Sequence, residues 1–165
     1  MLATTSTPRR AHAQDAGGLE IGTRAPSVAV VDSAGRSASV PAASGRPVLI
    51  EFWATWCEYC ARLEPRMKAA YARFGRRVDF VAVAVNVNET RSRVFRHAAA
   101  HGLAYPVWYD ASGEATRAFD VAATSHVVVL DAQRRVVYTG LGDTQDLDGV
   151  LTRLVGSDRG ATARH

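Results

Sequence analysis

The chain has 165 residues, 47% of them hydrophobic, and this size suits one globular domain with a single core. No run of about 18 apolar residues, the minimum for a transmembrane helix, occurs in the sequence. The formal charge is +4, but aromatic residues are not interleaved with a basic stripe, so a nucleic-acid surface is not predicted. The two cysteines lie three positions apart, which excludes a scaffold held together by several disulfides.

Composition divides the chain into one domain and two ends. Residues 1–19 are rich in small residues, and positions 11–13 look like the end of a secretory signal. No apolar run of about 7–15 residues precedes them, so the segment is either a truncated signal or a disordered lead. We expect the folded domain over residues 20–155 and a disordered tail over residues 156–165.

Short apolar runs alternate with helical periods along this domain. Strands are predicted at residues 28–31, 37–40, 47–53, 78–87, 105–108, 127–130 and 136–138. Helices are predicted at residues 58–74 with Gly75 as the stop, at 89–100 with Asn88 as the N-cap, at a short segment ending at 119, and at 146–155. Strand–helix–strand units followed by a hairpin and a helix predict an α/β fold with a central mixed sheet flanked by helices.

The two cysteines fall where the strand ending at Trp53 gives way to a helix. Residues three apart in a first helical turn have Cα atoms about 5–6 Å apart, within the range for a disulfide. Cys57, at the helix N-terminus, faces unpaired N–H groups that favour its thiolate, the attacking form. Cys60 lies one turn further in, where it can resolve a mixed disulfide. The pattern therefore predicts thiol–disulfide chemistry.

A zinc site is the first alternative for these cysteines. It would recruit His97 and His101, which are four apart on a predicted helix. However, 36 residues separate Cys60 from His97, against about 12–15 in the usual zinc motif. The two histidines are interpreted as solvated helix positions, and no metal site is predicted there. The second alternative, an inert pair of core cysteines, leaves the spacing beside a tryptophan unexplained.

The segment 52–60, FWATWCEYC, resembles the active-site segment of thioredoxins, specifically of their TlpA/ResA-type extracytoplasmic branch. Pro65 matches that family's helix-kinking proline, residues 22–53 resemble its N-terminal β-hairpin, and residues 83–106 resemble its inserted strand–helix segment. The likeness implies a thioredoxin fold and dithiol–disulfide exchange with protein thiols. It implies no bound organic cofactor, and electrons supplied by an upstream thiol protein. It also implies a periplasmic or other extracytoplasmic location, with a cytoplasmic one left open.

The sequence departs from the family at two places. Leu63 stands where the family usually has a glutamate, and Glu64 follows it. Ser125 stands where relatives have a cis-proline in the loop facing the dithiol. Because a cis bond before a non-proline residue costs about 2.5–4 kcal/mol, we predict a trans Thr124–Ser125 bond. By resemblance, Thr124 and Ser125 belong to the surface that pairs with the substrate backbone.

Further site residues surround the cysteines. Glu51 occupies the place of the buried acid that thioredoxins carry behind the dithiol. A carboxyl group in an apolar strand has a raised pKa and can exchange a proton with Cys60; the alternative is a strand-end glutamate reaching solvent or an arginine. Trp56 is predicted to shield the nucleophile and contact substrate, together with Glu58 and Tyr59 between the cysteines.

The expected function is that of a thiol–disulfide oxidoreductase acting as a reductant. Glu58 adds negative charge beside Cys57 and opposes the thiolate stabilisation on which strong oxidants depend. The alternative is a copper-delivery module in which Cys57, Cys60 and His126 bind Cu(I), the ion that thiolates favour. Copper proteins of this fold usually have one more residue between their cysteines. A peroxidase is disfavoured because Ala54 stands where that class needs a Thr or Ser.

Overall fold

The structure is a computed structural model, which describes the backbone of residues 17–162 and side chains as far as residue 156. The strands are β1 Val28–Val31, β2 Ser37–Val40, β3 Val48–Trp53, β4 Asp79–Ala84, β5 Val107–Tyr109, β6 His126–Leu130 and β7 Val136–Leu141. The helices are α1 Glu58–Phe74, α2 Arg91–Ala100, α3 Glu114–Ala118 and α4 Leu147–Thr162. No helix in this range has the length and apolar content of a membrane span.

The seven strands form one mixed sheet in the order β2-β1-β5-β4-β3-β6-β7. Strands β3, β4 and β5 run parallel, whereas β6 and β7 on one side and β1 and β2 on the other are antiparallel to their neighbours. The predicted mixed sheet with flanking helices and an N-terminal hairpin is confirmed.

The central strand β3 is buried along its whole length because both of its faces are covered. Successive side chains of a strand point to opposite faces. Phe52 packs against Phe119 at the end of α3, with ring centroids 5.4 Å apart. Trp53 packs on the other face, against His97 of α2, at 5.3 Å. Glu51, two residues before Trp53, therefore points to the face that α1 and α2 cover.

Helix α1 has the bounds that its apolar spacing predicts. Its buried side chains recur at helical spacing and face the sheet: Cys60, Leu63, Met67, Ala70 and Phe74. Gly75 is the C-cap, as predicted, and its N–H donates to Tyr71 O at 2.8 Å. Helix α4 packs beside α1. The short connection over residues 54–57 places the N-terminus of α1 at the carboxyl end of β3.

The start of α2 differs from the prediction. The N-cap is Thr90, whose Oγ1 accepts a hydrogen bond from Arg93 N at 3.3 Å. Asn88 has φ +50, the left-handed region, whereas an N-cap residue has an extended backbone. Strand β4 is also shorter than predicted, since it ends at Ala84.

Both ends of the domain differ from the predicted boundaries. Helix α4 continues through residues 156–162, part of the predicted tail, and residues 163–165 lie outside the described range. The predicted lead falls mostly on residues 1–16, which are also outside that range. Its last residues join the domain, because Gly17 forms a β-bridge with Val121 and Gly18 N donates to Asp120 O at 2.7 Å. Residues 17 and 18 therefore contact the segment between α3 and β6.

Candidate active site

Cys57 and Cys60 are joined by a disulfide at the start of α1. Their Cα atoms are 5.2 Å apart, as the spacing predicts. The turn before them is held by Cys57 N, which donates to Ala54 O at 3.2 Å. The pair is thus positioned by the junction of β3 with α1.

The two cysteines differ in their place in the helix. Cys57 is the N-cap residue, with an extended backbone at φ −85°, and its Sγ accepts a hydrogen bond from Cys60 N at 3.1 Å. An N–H donor at a helix N-terminus favours a negative charge on that sulfur. Exposure does not separate the pair in this oxidised form, because Cys57 is 7% exposed and Cys60 is 5% exposed. The helix position, rather than access, is what distinguishes the predicted nucleophile.

Glu51 lies behind the disulfide and does not reach solvent. It lines a cavity of about 20 Å³, room for a water molecule. Both cysteines, Glu64 and His97 line the same cavity. Burial, together with the negative charge of Glu64, raises the pKa of Glu51 to about 8. The carboxyl group is therefore mostly protonated at neutral pH and ready to exchange a proton.

Aromatic residues close the rest of this cavity. Tyr105 and Trp53 both line it. Burial, and then the charges of Glu51 and Glu64, raise the pKa of the Tyr105 hydroxyl, which stays protonated. Trp53 Nε1 is buried and has no hydrogen-bond partner among the described residues. Polar groups such as Glu51, Glu64 and His97 in the lining of a cavity of this size are the setting in which a buried water is held.

The outer rim of the disulfide is apolar and exposed. Trp56 is 49% exposed and Tyr59 is 57% exposed. Trp56 is fixed in place because its Nε1 donates to Val87 O at 2.9 Å, and Val87 is itself exposed. Glu58 is exposed and forms an ion pair with Arg62 at 3.7 Å, while the Arg62 guanidinium stacks over the Tyr59 ring at 4.6 Å. The three predicted contact residues, which adjoin Cys57 and Cys60 in sequence, are thus exposed.

The loop before β6 lies beside the same end of β3. Strand pairing sets His126 opposite Phe52, so Thr124 and Ser125 come next to the turn that leads to Cys57. The Thr124–Ser125 bond is trans, as predicted, since Val40–Pro41 is the cis bond of the described range. Ser125 is buried with φ +63, and its Oγ donates to Gly142 O at 3.1 Å. Thr124 is half-buried.

The copper alternative is not supported by the position of His126. The imidazole is completely buried, and its Nε2 pairs with Thr139 Oγ1 at 2.8 Å. Gly18 lies against the imidazole ring, so closely that a Cβ atom at this position would be 2.8 Å from His126 Nε2. Burial lowers the pKa of His126. His126 and the cysteines do not converge as metal ligands among the described side chains. Of the predicted lead, the described residue Gly18 lies against the histidine ring.

Two functional features were not found in the sequence. Glu89 is buried, and its carboxylate accepts hydrogen bonds from Thr55 N at 2.8 Å and Thr90 N at 3.1 Å. It thereby ties the turn before Cys57 to the start of α2. His97 is half-buried, with 22% of its side chain exposed: it packs on Trp53 and lines the cavity behind the disulfide. Both contacts join distant parts of the chain, which local patterns do not reveal.

Comparison with known proteins agrees with this geometry. The family model described as Redoxin matches residues 20–153. This chain belongs to the Redoxin family. The thiol-disulfide oxidoreductase ResA of Bacillus subtilis is 29% identical over 116 residues, which cover 70% of this chain and 64% of that protein, just under two thirds. ResA of Geobacillus thermodenitrificans is 28% identical over 131 residues, which cover 78% and 75% of the two chains.

A solved structure extends the comparison to the fold. The thiol:disulfide interchange protein of Chlorobium tepidum, a thioredoxin family protein, superposes with a TM-score of 0.68 at 28% identity, covering 81% of this chain and 96% of that one. The predicted thioredoxin fold is confirmed. With the Cys57–Cys60 pair in place, the chain is a ResA/TlpA-like thiol–disulfide oxidoreductase of the Redoxin family.

Proposed function

We propose that this oxidoreductase is a reductant of protein disulfides, with Cys57 as nucleophile, Cys60 as resolving thiol and Glu51 as proton relay. The observation that carries the proposal is a disulfide at a helix N-terminus that shares a cavity with a buried carboxyl group. Trp56 and Tyr59 supply an apolar surface for the partner chain, and the loop with the half-buried Thr124 and the buried Ser125 lies at the same end of β3.

The exchange proceeds in two displacements. In the reduced protein, the Cys57 thiolate attacks one sulfur of the partner disulfide, so that a mixed disulfide forms and the partner's other sulfur leaves as a thiolate. Cys60 then loses its proton and attacks Cys57 Sγ. This step releases the partner's second thiolate and forms the Cys57–Cys60 disulfide seen in the structure. The partner gains two electrons and the dithiol loses two.

Glu51 takes part in the second displacement. Its pKa of about 8 is close to the ordinary pKa of a thiol, about 8.5, so the ionised carboxylate, which is the minor form at neutral pH, takes the Cys60 proton at little cost. The cavity between Glu51 and the cysteines has room for a bridging water molecule. When an upstream thiol protein reduces the disulfide again, the same carboxyl group returns the proton to Cys60.

The direction of exchange follows from how the Cys57 thiolate is stabilised. The described contact to its sulfur is a single backbone N–H, from Cys60. The nearest basic side chain in sequence, Arg62, pairs with the carboxylates of Glu58 and Asp143 instead. A modestly stabilised thiolate keeps the disulfide form stable and makes the dithiol a reductant.

A redox titration against glutathione and dithiothreitol tests this direction. We expect a potential near about −270 mV rather than near about −120 mV, the values of thioredoxin and of a strong periplasmic oxidant. Glu58→Gln removes a negative charge beside the nucleophile and should make the couple more oxidising. A wild-type couple at the oxidising end contradicts the reductant assignment, and an unchanged potential in Glu58→Gln removes the charge as its cause.

We also propose that the protein works outside the cytoplasm, in the periplasm or its equivalent, with an upstream thiol protein as electron donor. The support is the resemblance of segment 52–60 to the extracytoplasmic branch of the fold. Fractionation of the source cells, with the redox state of the Cys57–Cys60 pair trapped by alkylation, tests the location. Recovery in the cytoplasmic fraction alone contradicts it.

A further inference from the structure

A cluster of two histidines and one carboxylate lies where α1 meets α2. His97 and His101 are four residues apart on the C-terminal half of α2, and their rings stack with centroids 3.8 Å apart. Glu64 faces them from α1. Its Oε2 lies 2.8 Å from His101 Nδ1 and 3.9 Å from His97 Nε2. Among the described residues, no other set of three or more His, Cys, Asp or Glu side chains converges in this way.

The distances suit a small cation. Zn–N and Zn–O bonds of about 2.0–2.1 Å in a tetrahedral site place the ligand atoms about 3.4 Å from one another. The 2.8 Å and 3.9 Å separations lie on either side of that value, and all three ligand atoms lie within 4.8 Å of one another. Small rotations of the side chains are therefore enough to form the site.

The carboxylate is already oriented for this role. Lys68 holds the other oxygen of Glu64, with Nζ 2.7 Å from Oε1, and its Nζ also donates to His101 O at 2.6 Å. This leaves Oε2 directed at the two imidazoles. The side chain of Glu64 is 17% exposed and that of His101 is 41% exposed, so the cluster is open to solvent on one side. An ion has an entry path, and a fourth position remains for water.

We propose that Glu64, His97 and His101 form a binding site for a divalent transition-metal ion, and that this ion is Zn²⁺. Two imidazoles, one carboxylate and a water molecule are a recognised zinc ligand set. Glu64 and His97 also line the cavity behind the disulfide, but neither cysteine is among the proposed ligands, and the proposal does not depend on the redox function proposed above. It also differs from the zinc alternative raised by the sequence, because the third ligand is Glu64 rather than a cysteine.

Calorimetric titration of Zn²⁺ into the oxidised, untagged protein at neutral pH tests the site. Oxidised protein is used because a disulfide offers no thiolate to the metal. We expect one ion per chain, and at least a tenfold loss of affinity in both His101→Ala and Glu64→Gln. Co²⁺ should give the intense visible bands of a four-coordinate ion, and these bands should disappear in the same variants.

Matched controls separate this site from adventitious binding. His12→Ala/His165→Ala removes two histidines outside the described residues and should leave the affinity unchanged. Cys57→Ser/Cys60→Ser should also keep it. Because His97 packs on Trp53, His97→Gln serves beside His97→Ala as a variant that preserves volume. Absence of stoichiometric binding, equal affinity in His101→Ala, or loss of binding in the cysteine variant would each overturn the proposal. Any of these results leaves the disulfide chemistry untouched.

Discussion

At the scale of single residues, Glu51 shows how burial changes the pKa of a carboxyl group. The sequence offers a carboxyl group in an apolar strand, and the structure removes it from solvent on the face that α1 covers. Desolvation disfavours the charged form, and the nearby Glu64 adds to the effect. The result is an acid whose pKa of about 8 approaches the ordinary pKa of a thiol, about 8.5.

Replacing Glu51 by Gln should slow resolution and leave the first attack intact. With an aromatic disulfide as substrate, the attack of Cys57 releases one coloured thiolate and resolution by Cys60 releases the second. In stopped-flow mixing at neutral pH we expect the second phase to slow by about 100-fold, within the usual range for a lost general base. The deficit should shrink toward about pH 9.5, where solvent removes the thiol proton. A deficit that is constant with pH contradicts the relay.

The stability of the same variant provides the control. In the folded protein Glu51 keeps its proton up to about pH 8, whereas an unfolded chain loses it near 4.5. Between these values the native state binds more protons, so the free energy of unfolding falls as pH rises, by up to about 1.4 kcal/mol per unit. Urea unfolding of Glu51→Gln should lack this component. Identical pH slopes for both proteins would show that the group is not buried in its neutral form.

At the scale of elements, short sequence patterns predict those helix ends that depend on interactions between neighbouring residues. The amphipathic spacing of α1 and the glycine after it suffice to predict both ends of that helix. The start of α2 could not be predicted in this way, because Glu89 leaves the helix to pair with Thr55, 34 residues earlier. Asn88 then takes a left-handed backbone and Thr90 becomes the cap.

The backbone conformation of the loop before β6 can be tested by substitution. Ser125 has φ +63, and proline holds φ near about −65°. Ser125→Pro therefore cannot restore the family's proline without rebuilding the loop, and it also removes the hydrogen bond from Oγ to Gly142 O. We expect a loss of about 2 kcal/mol or more in the free energy of unfolding, measured by urea denaturation.

Ser125→Gly is the matched control for this loop. It loses the same hydroxyl group but tolerates a positive φ, so it should cost about 1 kcal/mol or less. If the proline variant is as stable as the glycine variant, the backbone conformation of Ser125 does not constrain the loop.

At the scale of the whole molecule, the site depends on parts of the chain that no local window joins. The cysteine pair and its strand–helix junction can be predicted from segment 52–60. The covering of the His126 ring cannot be, because it involves Gly18 of the N-terminal segment. The association of Glu64 with His97 and His101 likewise needs two helices to meet.

Alanine substitutions at Gly18 and Gly22 test whether the N-terminal segment packs tightly over His126 and Thr139. Both have a positive φ, +98 and +88, but a Cβ at Gly18 would lie 2.7 Å from Thr139 Oγ1, whereas nothing lies within 4 Å of one at Gly22. Gly18→Ala should therefore lower the free energy of unfolding by about 1–3 kcal/mol more than Gly22→Ala, in thermal or urea unfolding. Equal losses would show that the segment does not pack tightly over His126 and Thr139.

The assignment of Cys57 as the nucleophile is the central claim, and trapping of the mixed disulfide tests it most directly. Reduced Cys60→Ser and Cys57→Ser variants are incubated with a protein disulfide substrate, quenched with acid and examined by mass spectrometry. The geometry predicts a stable adduct on Cys57 in the Cys60→Ser variant, because attack proceeds and resolution cannot. It predicts little or no adduct in the Cys57→Ser variant. Equal trapping in both variants, or an adduct through Cys60 alone, would contradict the assignment.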